Sequence, residues 1–156
     1  MNESFPPRTE NCEAFLQVVK NLEGAQQSID YKSVLDDLIA WSESLSGLLV
    51  FRRRPDPVAG KNQQFTVTYC LPESGRVFWQ AYPPESKRYS AKLHIELQAG
   101  DLRDNLRQKF LKLFSSRPRT LPTHAVIRFP DLIPVENREN VKRLLVEVLA
   151  KLQQGT

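Results

Sequence analysis

Residues 91–98 read Ala-Lys-Leu-His-Ile-Glu-Leu-Gln, an alternation of apolar and polar side chains with a period of two. Successive side chains of a strand point to opposite faces, so the aliphatic residues here share one face. The other face then carries four polar side chains: Lys92, His94, Glu96 and Gln98. One apolar and one polar face are typical of a strand in an antiparallel sheet that buries mainly one side.

Three further strands are predicted before this one, because β-favouring residues recur there between turn signals. They cover residues 48–53, 65–70 and 76–82. Glycine and proline separate them, with Gly60 in the first connection and Gly75 in the second,. Short turns between successive strands favour an antiparallel meander.

On the N-terminal side of Gly47 the hydrophobic period is that of a helix. Apolar residues at i, i+3, i+4 and i+7 predict a first helix over 11–23,. A second helix is predicted over 33–45, with Ser33 as its N-cap and Asp36 in its first turn,. The change of period at Gly47 therefore divides a helical front from a sheet.

Helical spacing returns after the fourth strand. It predicts a third helix over 101–115 and a final helix through 141–152,. Between them lie a proline-containing linker, 117–122, and a fifth strand, 124–129, whose direction relative to its neighbours stays open. The final helix is expected to pack on the sheet through four aliphatic side chains: Leu144, Leu145, Val148 and Leu152. The order ααββββαβα predicts an α+β domain with a four- to five-stranded, mainly antiparallel sheet.

Length and composition favour one globular domain. The chain has 156 residues, 40% of them hydrophobic, which suffices for a single core,. No apolar run approaches the ~20 residues of a membrane span, and the polar N-terminus lacks a secretory signal. We expect a flexible segment over 1–10, a single domain over 11–156, a cytoplasmic location and no membrane contact. Cys12 and Cys70 lack CxxC spacing, which favours a reducing compartment,.

The sequence contains no complete catalytic or cofactor motif. There is no GxSxG and no phosphate-binding glycine loop, and His94 and His124 are the only imidazole bases,. Two histidines and two cysteines at scattered positions do not supply a structural zinc site. We therefore expect a protein without catalytic residues, bound metal or cofactor.

A metal-dependent nuclease is a second alternative, because Lys92 and Glu96 share a strand face with His94,. Such a site needs a further carboxylate, and the predicted sheet offers only Asp56 and Glu73, both in turns. A polar strand face with cross-strand ion pairs explains the same residues.

Charge is distributed unevenly along the chain. Residues 1–50 contain three basic and eight acidic residues, a net charge of −5, so the remainder carries +9 of a total of +4. This division predicts either a surface with one basic face or electrostatic docking of the two parts. In the second case helices cover both faces of the sheet, and Arg52 and Arg54 pair with Asp36, Asp37 or Glu43.

Basic side chains near strand ends are interleaved with aromatic ones, which makes the sheet a candidate binding surface. The residues concerned are Arg52, Arg54, Arg76, Trp79, Tyr82, Lys87 and Arg88. We expect a non-catalytic binding or accessory module that contacts a protein partner, or associates with itself, through its sheet or helical surface. The alternative is single-stranded nucleic acid bound on a basic and aromatic sheet face, which requires the five basic residues to form one continuous surface.

Overall fold

The computed structural model describes residues 7–52, 66–96, 108–109, 119–120 and 124–154. Within these ranges the helices are α1 (Pro7–Leu22), α2 (Ala25–Glu43) and α3 (Val135–Gln154), with a 3₁₀ turn over Phe129–Leu132. The strands are β1 (Val50–Phe51), β2 (Val67–Cys70), β3 (Val77–Tyr82), β4 (Lys92–Glu96), β5 (Arg119–Thr120) and β6 (His124–Arg128). The predicted α+β class is confirmed.

The strands form one sheet in the order β1-β2-β3-β4-β6-β5, with every neighbouring pair antiparallel. The predicted meander from β1 to β4 is confirmed, and the strand whose direction was left open, β6, runs antiparallel to β4. Strand β5 lies inside the segment 117–122, which was predicted to be a linker. A two-residue strand between Pro118 and Pro122 has no periodicity by which it could be detected.

The helical front differs from the prediction at its helix starts. Helix α1 begins at Pro7, a residue well tolerated in the first turn, so residues 7–10 of the expected flexible segment are helical,. Helix α2 begins at Ala25 rather than Ser33. It follows directly after Gly24, whose positive φ of 123° is not helical and separates α1 from α2,. Of the third predicted helix, residues 108–109 are helical and the rest lies outside the described residues, as do residues 1–6.

One face of the sheet forms the core with the three described helices, and we call it the helix-covered face. Its buried strand residues are Val67, Tyr69, Trp79, Ala81, Leu93, Ile95, Ala125 and Ile127. Helix α1 contributes Phe15 and Val19, and α2 contributes Leu35 and Leu38. From α3, the predicted contacts Leu144, Leu145 and Val148 belong to the same core, whereas the side chain of Leu152 lies outside the described part.

Charge pairing joins the acidic front to the C-terminal helix. Asp37 of α2 accepts hydrogen bonds from Arg138 Nη1 at 3.3 Å and from Lys142 Nζ at 2.5 Å, both from α3. Arg138 also donates to the backbone carbonyls of Ser33 and Ile133, which ties the start of α3 to α2. Ion pairs therefore do join the acidic front to the rest of the chain, but α3 supplies the cations. The pairing predicted for Arg52 is wrong among the described contacts, since Arg52 bonds to the Gly75 carbonyl, and Arg54 lies outside the described residues.

Candidate binding surface

Trp79 does not lie on an open binding surface, contrary to the sequence-based hypothesis. Its side chain is 0% exposed on the helix-covered face. The indole N–H donates to Ser42 Oγ at 2.8 Å, and the indole ring stacks on Tyr69 with centroids 5.0 Å apart. Three helices close over this face, so Trp79 contributes to the core and cannot stack on a nucleic-acid base.

The basic residues proposed for binding lie at two ends of the sheet. Arg52 and Arg76 are exposed beside the β2–β3 turn, where Arg52 Nη1 donates to the Gly75 carbonyl at 3.2 Å. Lys87 and Arg88 are exposed in the loop that follows β3, at its opposite end. Because β3 separates the two groups, these four residues do not form the continuous basic face that was predicted. Arg54 lies outside the described residues.

The strand register instead assembles a different set of side chains on the second face of the sheet, which we call the polar face. Thr68 lies directly opposite Gln80, and Gln80 lies opposite His94. In the next row Lys92 of β4 is flanked by Tyr82 on one side and by Arg128 on the other. By alternation the polar face carries Thr66, Thr68, Gln80, Tyr82, Lys92, His94, Glu96 and Arg128.

Sequence reasoning found Tyr82 and described the Lys92, His94 and Glu96 row, but it missed the threonines and Gln80 as site residues. The available signal was the placement of polar residues at alternate positions of two otherwise apolar strands, 66–70 and 77–82. That pattern shows which residues share a face, but the cross-strand register that brings them together is visible only in the fold.

Exposure on the polar face differs between its cross-strand rows. Thr66 and Thr68 are 1% and 0% exposed, and Gln80 is 4% exposed. Tyr82, Lys92 and His94 are half-buried, and the Arg128 side chain is 62% exposed. The row of Thr68, Gln80 and Val126 is therefore buried or nearly so, and the row of Tyr82, Lys92 and Arg128 becomes exposed at Arg128.

The buried polar atoms on this face include Thr66 Oγ1, Thr68 Oγ1 and Gln80 Nε2, which have no hydrogen-bond partner within the described part of the chain. The Tyr82 hydroxyl donates to Gln80 Oε1 at 2.9 Å, which leaves the amide nitrogen of Gln80 as the available donor. A buried polar group without a partner costs about 1–3 kcal/mol, and such groups are rare in folded proteins. The two hydroxyl groups and the amide therefore form a cluster of buried donors without a described partner.

Two further features determine the chemistry of the polar face. The rings of Tyr82 and His94 lie with centroids 4.4 Å apart at an angle of 54°. Lys92 and Arg128 carry positive charge on paired positions of β4 and β6, and Arg128 Nε has a loose contact of 3.9 Å with Asp131. Hydrogen-bond donors and cations together suit a ligand that bears oxyanions.

The described ranges contain no group of three or more His, Cys, Asp or Glu side chains placed to hold a metal ion. Glu73 is exposed in the β2–β3 turn, and Asp56 lies outside the described residues. The nuclease alternative thus gains no second carboxylate from this part of the molecule. Among the helices that the structure describes, none has the length and apolar character needed to cross a membrane.

No protein-family model, curated protein or solved structure matches the chain. Function is therefore inferred from the geometry and chemistry of the polar face.

Proposed function

We propose that the chain is a non-catalytic binding module whose binding surface is the polar face, and that its partner is a protein presenting an acidic segment to that face. The observation that carries this proposal is that two cations, Lys92 and Arg128, occupy directly opposite positions on β4 and β6, where the face becomes exposed. Tyr82 and His94 lie beside this cationic pair and are half-buried, so they add contact area for a bound segment.

The distribution of surfaces supports the same choice. Three helices close the helix-covered face, whereas the polar face carries the exposed Arg128 beside the half-buried Lys92. Cations at the rim of an interface steer an acidic partner and accelerate association more than they add to affinity. Binding of this kind weakens as salt concentration rises, because exposed charges are screened.

Single-stranded nucleic acid is the second candidate, and one observation favours it. The Tyr82 and His94 rings beside Lys92 combine stacking surface with positive charge, the pairing that single-strand binding proteins use,. The separation of Arg52 and Arg76 from Lys87 and Arg88 weighs against it, because a bound strand needs a continuous basic path.

The test compares two double variants that remove the same charge. Lys92→Ala with Arg128→Ala removes the cations of the polar face, and Arg76→Ala with Arg88→Ala removes two exposed cations at the ends of the sheet. Binding of a fluorescent oligo-glutamate peptide and of a fluorescent oligothymidylate is measured by anisotropy at low and at moderate salt.

We expect the peptide to bind the wild-type protein and to lose affinity about tenfold or more in the first variant, with little change in the second. If only the oligonucleotide binds, with the same dependence on Lys92 and Arg128, the partner of the polar face is single-stranded nucleic acid and not an acidic protein segment. Absence of binding by both probes at low salt, or equal weakening in both variants, would overturn the proposal.

A further inference from the structure

The unpartnered atoms of the polar face are contiguous. Thr68 and Gln80 form a directly opposed pair on β2 and β3, and Thr66 lies two residues before Thr68 on the same side of its strand,. All three side chains are more than nine-tenths buried. They therefore present two hydroxyl groups and one amide N–H₂ group to a common region of the face.

Buried hydroxyl groups elsewhere in the described structure have partners. On the helix-covered side, Ser42 donates to the Leu38 carbonyl, Tyr31 donates to Glu23, and Tyr69 donates to Glu43. The described residues thus satisfy the hydroxyl groups of the helix-covered side, but among them Thr66 and Thr68 have no partner on the polar face. Unpartnered donors gathered at one place are expected where a ligand completes the hydrogen bonding.

We infer that Gln80, Thr68 and Thr66 form a subsite for an oxyanion, a carboxylate or phosphate group, that enters from the Lys92 side of the polar face. The inference rests on the proposed use of that face for binding, and it adds which atoms hold the ligand. Each of the three residues can donate a hydrogen bond to an anionic oxygen.

Neighbouring residues fit this chemistry. Lys92 lies diagonally across from Gln80 on β4 and supplies a positive charge next to the subsite,. Glu96, the carboxylate of the same strand face, lies beyond His94 on the side away from Lys92. The increase of exposure from Gln80 through Lys92 to Arg128 marks the direction from which an anion reaches the amide.

The oxyanion has two sources, an acidic side chain of a protein partner or a free small anion. Three probes separate them: the capped oligo-glutamate peptide, citrate and inorganic phosphate. Each is titrated calorimetrically and by the shift in Tm at matched ionic strength, with chloride as the reference salt. Saturable binding by the peptide alone identifies the partner's carboxylate, and saturable binding by citrate or phosphate identifies a free anion.

Two variants test the subsite, each checked for folding by circular dichroism. Gln80→Met removes the amide at similar volume, and Thr68→Val replaces the hydroxyl by a methyl group. Ser44→Ala is the control, because it removes an exposed hydroxyl at the end of α2, away from the polar face.

We expect each subsite variant to lose affinity for the bound probe about tenfold, with the control unchanged. Wild-type affinity in both subsite variants, or no saturable binding of any probe, would overturn the subsite. If the peptide depends on Lys92 and Arg128 but not on Gln80, the proposed function stands and the subsite fails. If citrate or phosphate binds through Gln80 while the peptide does not bind, the subsite stands and the acidic protein partner fails.

Discussion

Trp79 and Gln80 are consecutive residues of β3 and point to opposite faces of the sheet. They differ in whether the side-chain N–H group has a hydrogen-bond partner. Both are almost fully buried. The indole N–H of Trp79 has a partner in Ser42, whose own hydroxyl donates to the Leu38 carbonyl, whereas the amide nitrogen of Gln80 has none among the described residues. The buried N–H of Trp79 is thus hydrogen-bonded, whereas Gln80 keeps a donor without a described partner where recognition is proposed,.

Aromatic packing strengthens the contrast. On the helix-covered side the Phe129 ring lies 5.4 Å from that of Phe15 and 5.2 Å from that of Tyr31, between centroids. Tilted aromatic pairs at this distance add to the free energy of apolar burial. Mutations on the helix-covered face should therefore act on folding, whereas loss of the polar-face cations Lys92 and Arg128 should act on binding.

The largest expected effect is that of Trp79→Ala. Removing a fully buried indole leaves a cavity, and the expected loss is about 3–5 kcal/mol of the free energy of unfolding. Urea denaturation followed by circular dichroism measures it. Trp41→Ala is the control, because Trp41 is only partly buried and should cost less. A loss below about 1 kcal/mol would instead place Trp79 on an accessible surface, as the nucleic-acid hypothesis required.

Ser42→Ala should have the next largest effect. The change leaves the indole N–H of Trp79 without its acceptor in a buried site, which should lower the free energy of unfolding by about 1–3 kcal/mol,. Ser44→Ala is a suitable control, because Ser44 is exposed and its hydroxyl bonds only to the Trp41 carbonyl among the described contacts. Equal stability of the two variants would show that the Trp79–Ser42 bond does not stabilise the core.

Tyr31 should make the free energy of unfolding depend on pH in the alkaline range. Burial and the hydrogen bond to Glu23 raise the pKa of Tyr31 well above its ordinary value of 10.0. The stability linked to this raised pKa is fully present below pH ~10 and is lost as pH rises further, by at most about 1.4 kcal/mol per pH unit.

Denaturation curves at several pH values from neutral to strongly alkaline test this linkage. Tyr31→Phe should be less stable than wild type near neutral pH, because it loses the bond to Glu23, and the difference should narrow above pH ~10. A difference that stays constant across this range would mean that Tyr31 does not ionise differently in the folded and unfolded states.

The sequence was sufficient for the α+β class and for most strands, because periods of two and 3.6 are local signals. It placed the start of α2 at Ser33 because residues 25–32 contain few aliphatic side chains, although Tyr31 is buried there. In β3, aromatic residues occur on both faces, so the pattern alone could not show that helices cover the face of Trp79. The Thr68–Gln80–His94 row depends on register between three strands, which no local signal encodes,.

The smallest expected effect has the opposite sign, and it tests the comparison of the faces most directly. Thr68→Val removes a buried hydroxyl that has no partner among the described residues and replaces it by a methyl group of similar size. The free protein should gain up to about 1 kcal/mol in the free energy of unfolding, because the desolvation cost of an unpartnered group disappears.

Ser42→Ala, which removes a partnered hydroxyl, is the matched counterpart and should move stability in the other direction. The free energy of unfolding is measured by urea denaturation without added oxyanion. If Thr68→Val lowers it by about 1 kcal/mol, the hydroxyl is already satisfied, for instance by bound water. The two faces would then be equivalent in their hydrogen bonding. A gain, together with weaker ligand binding in the same variant, would show that stability is given up at this position for recognition.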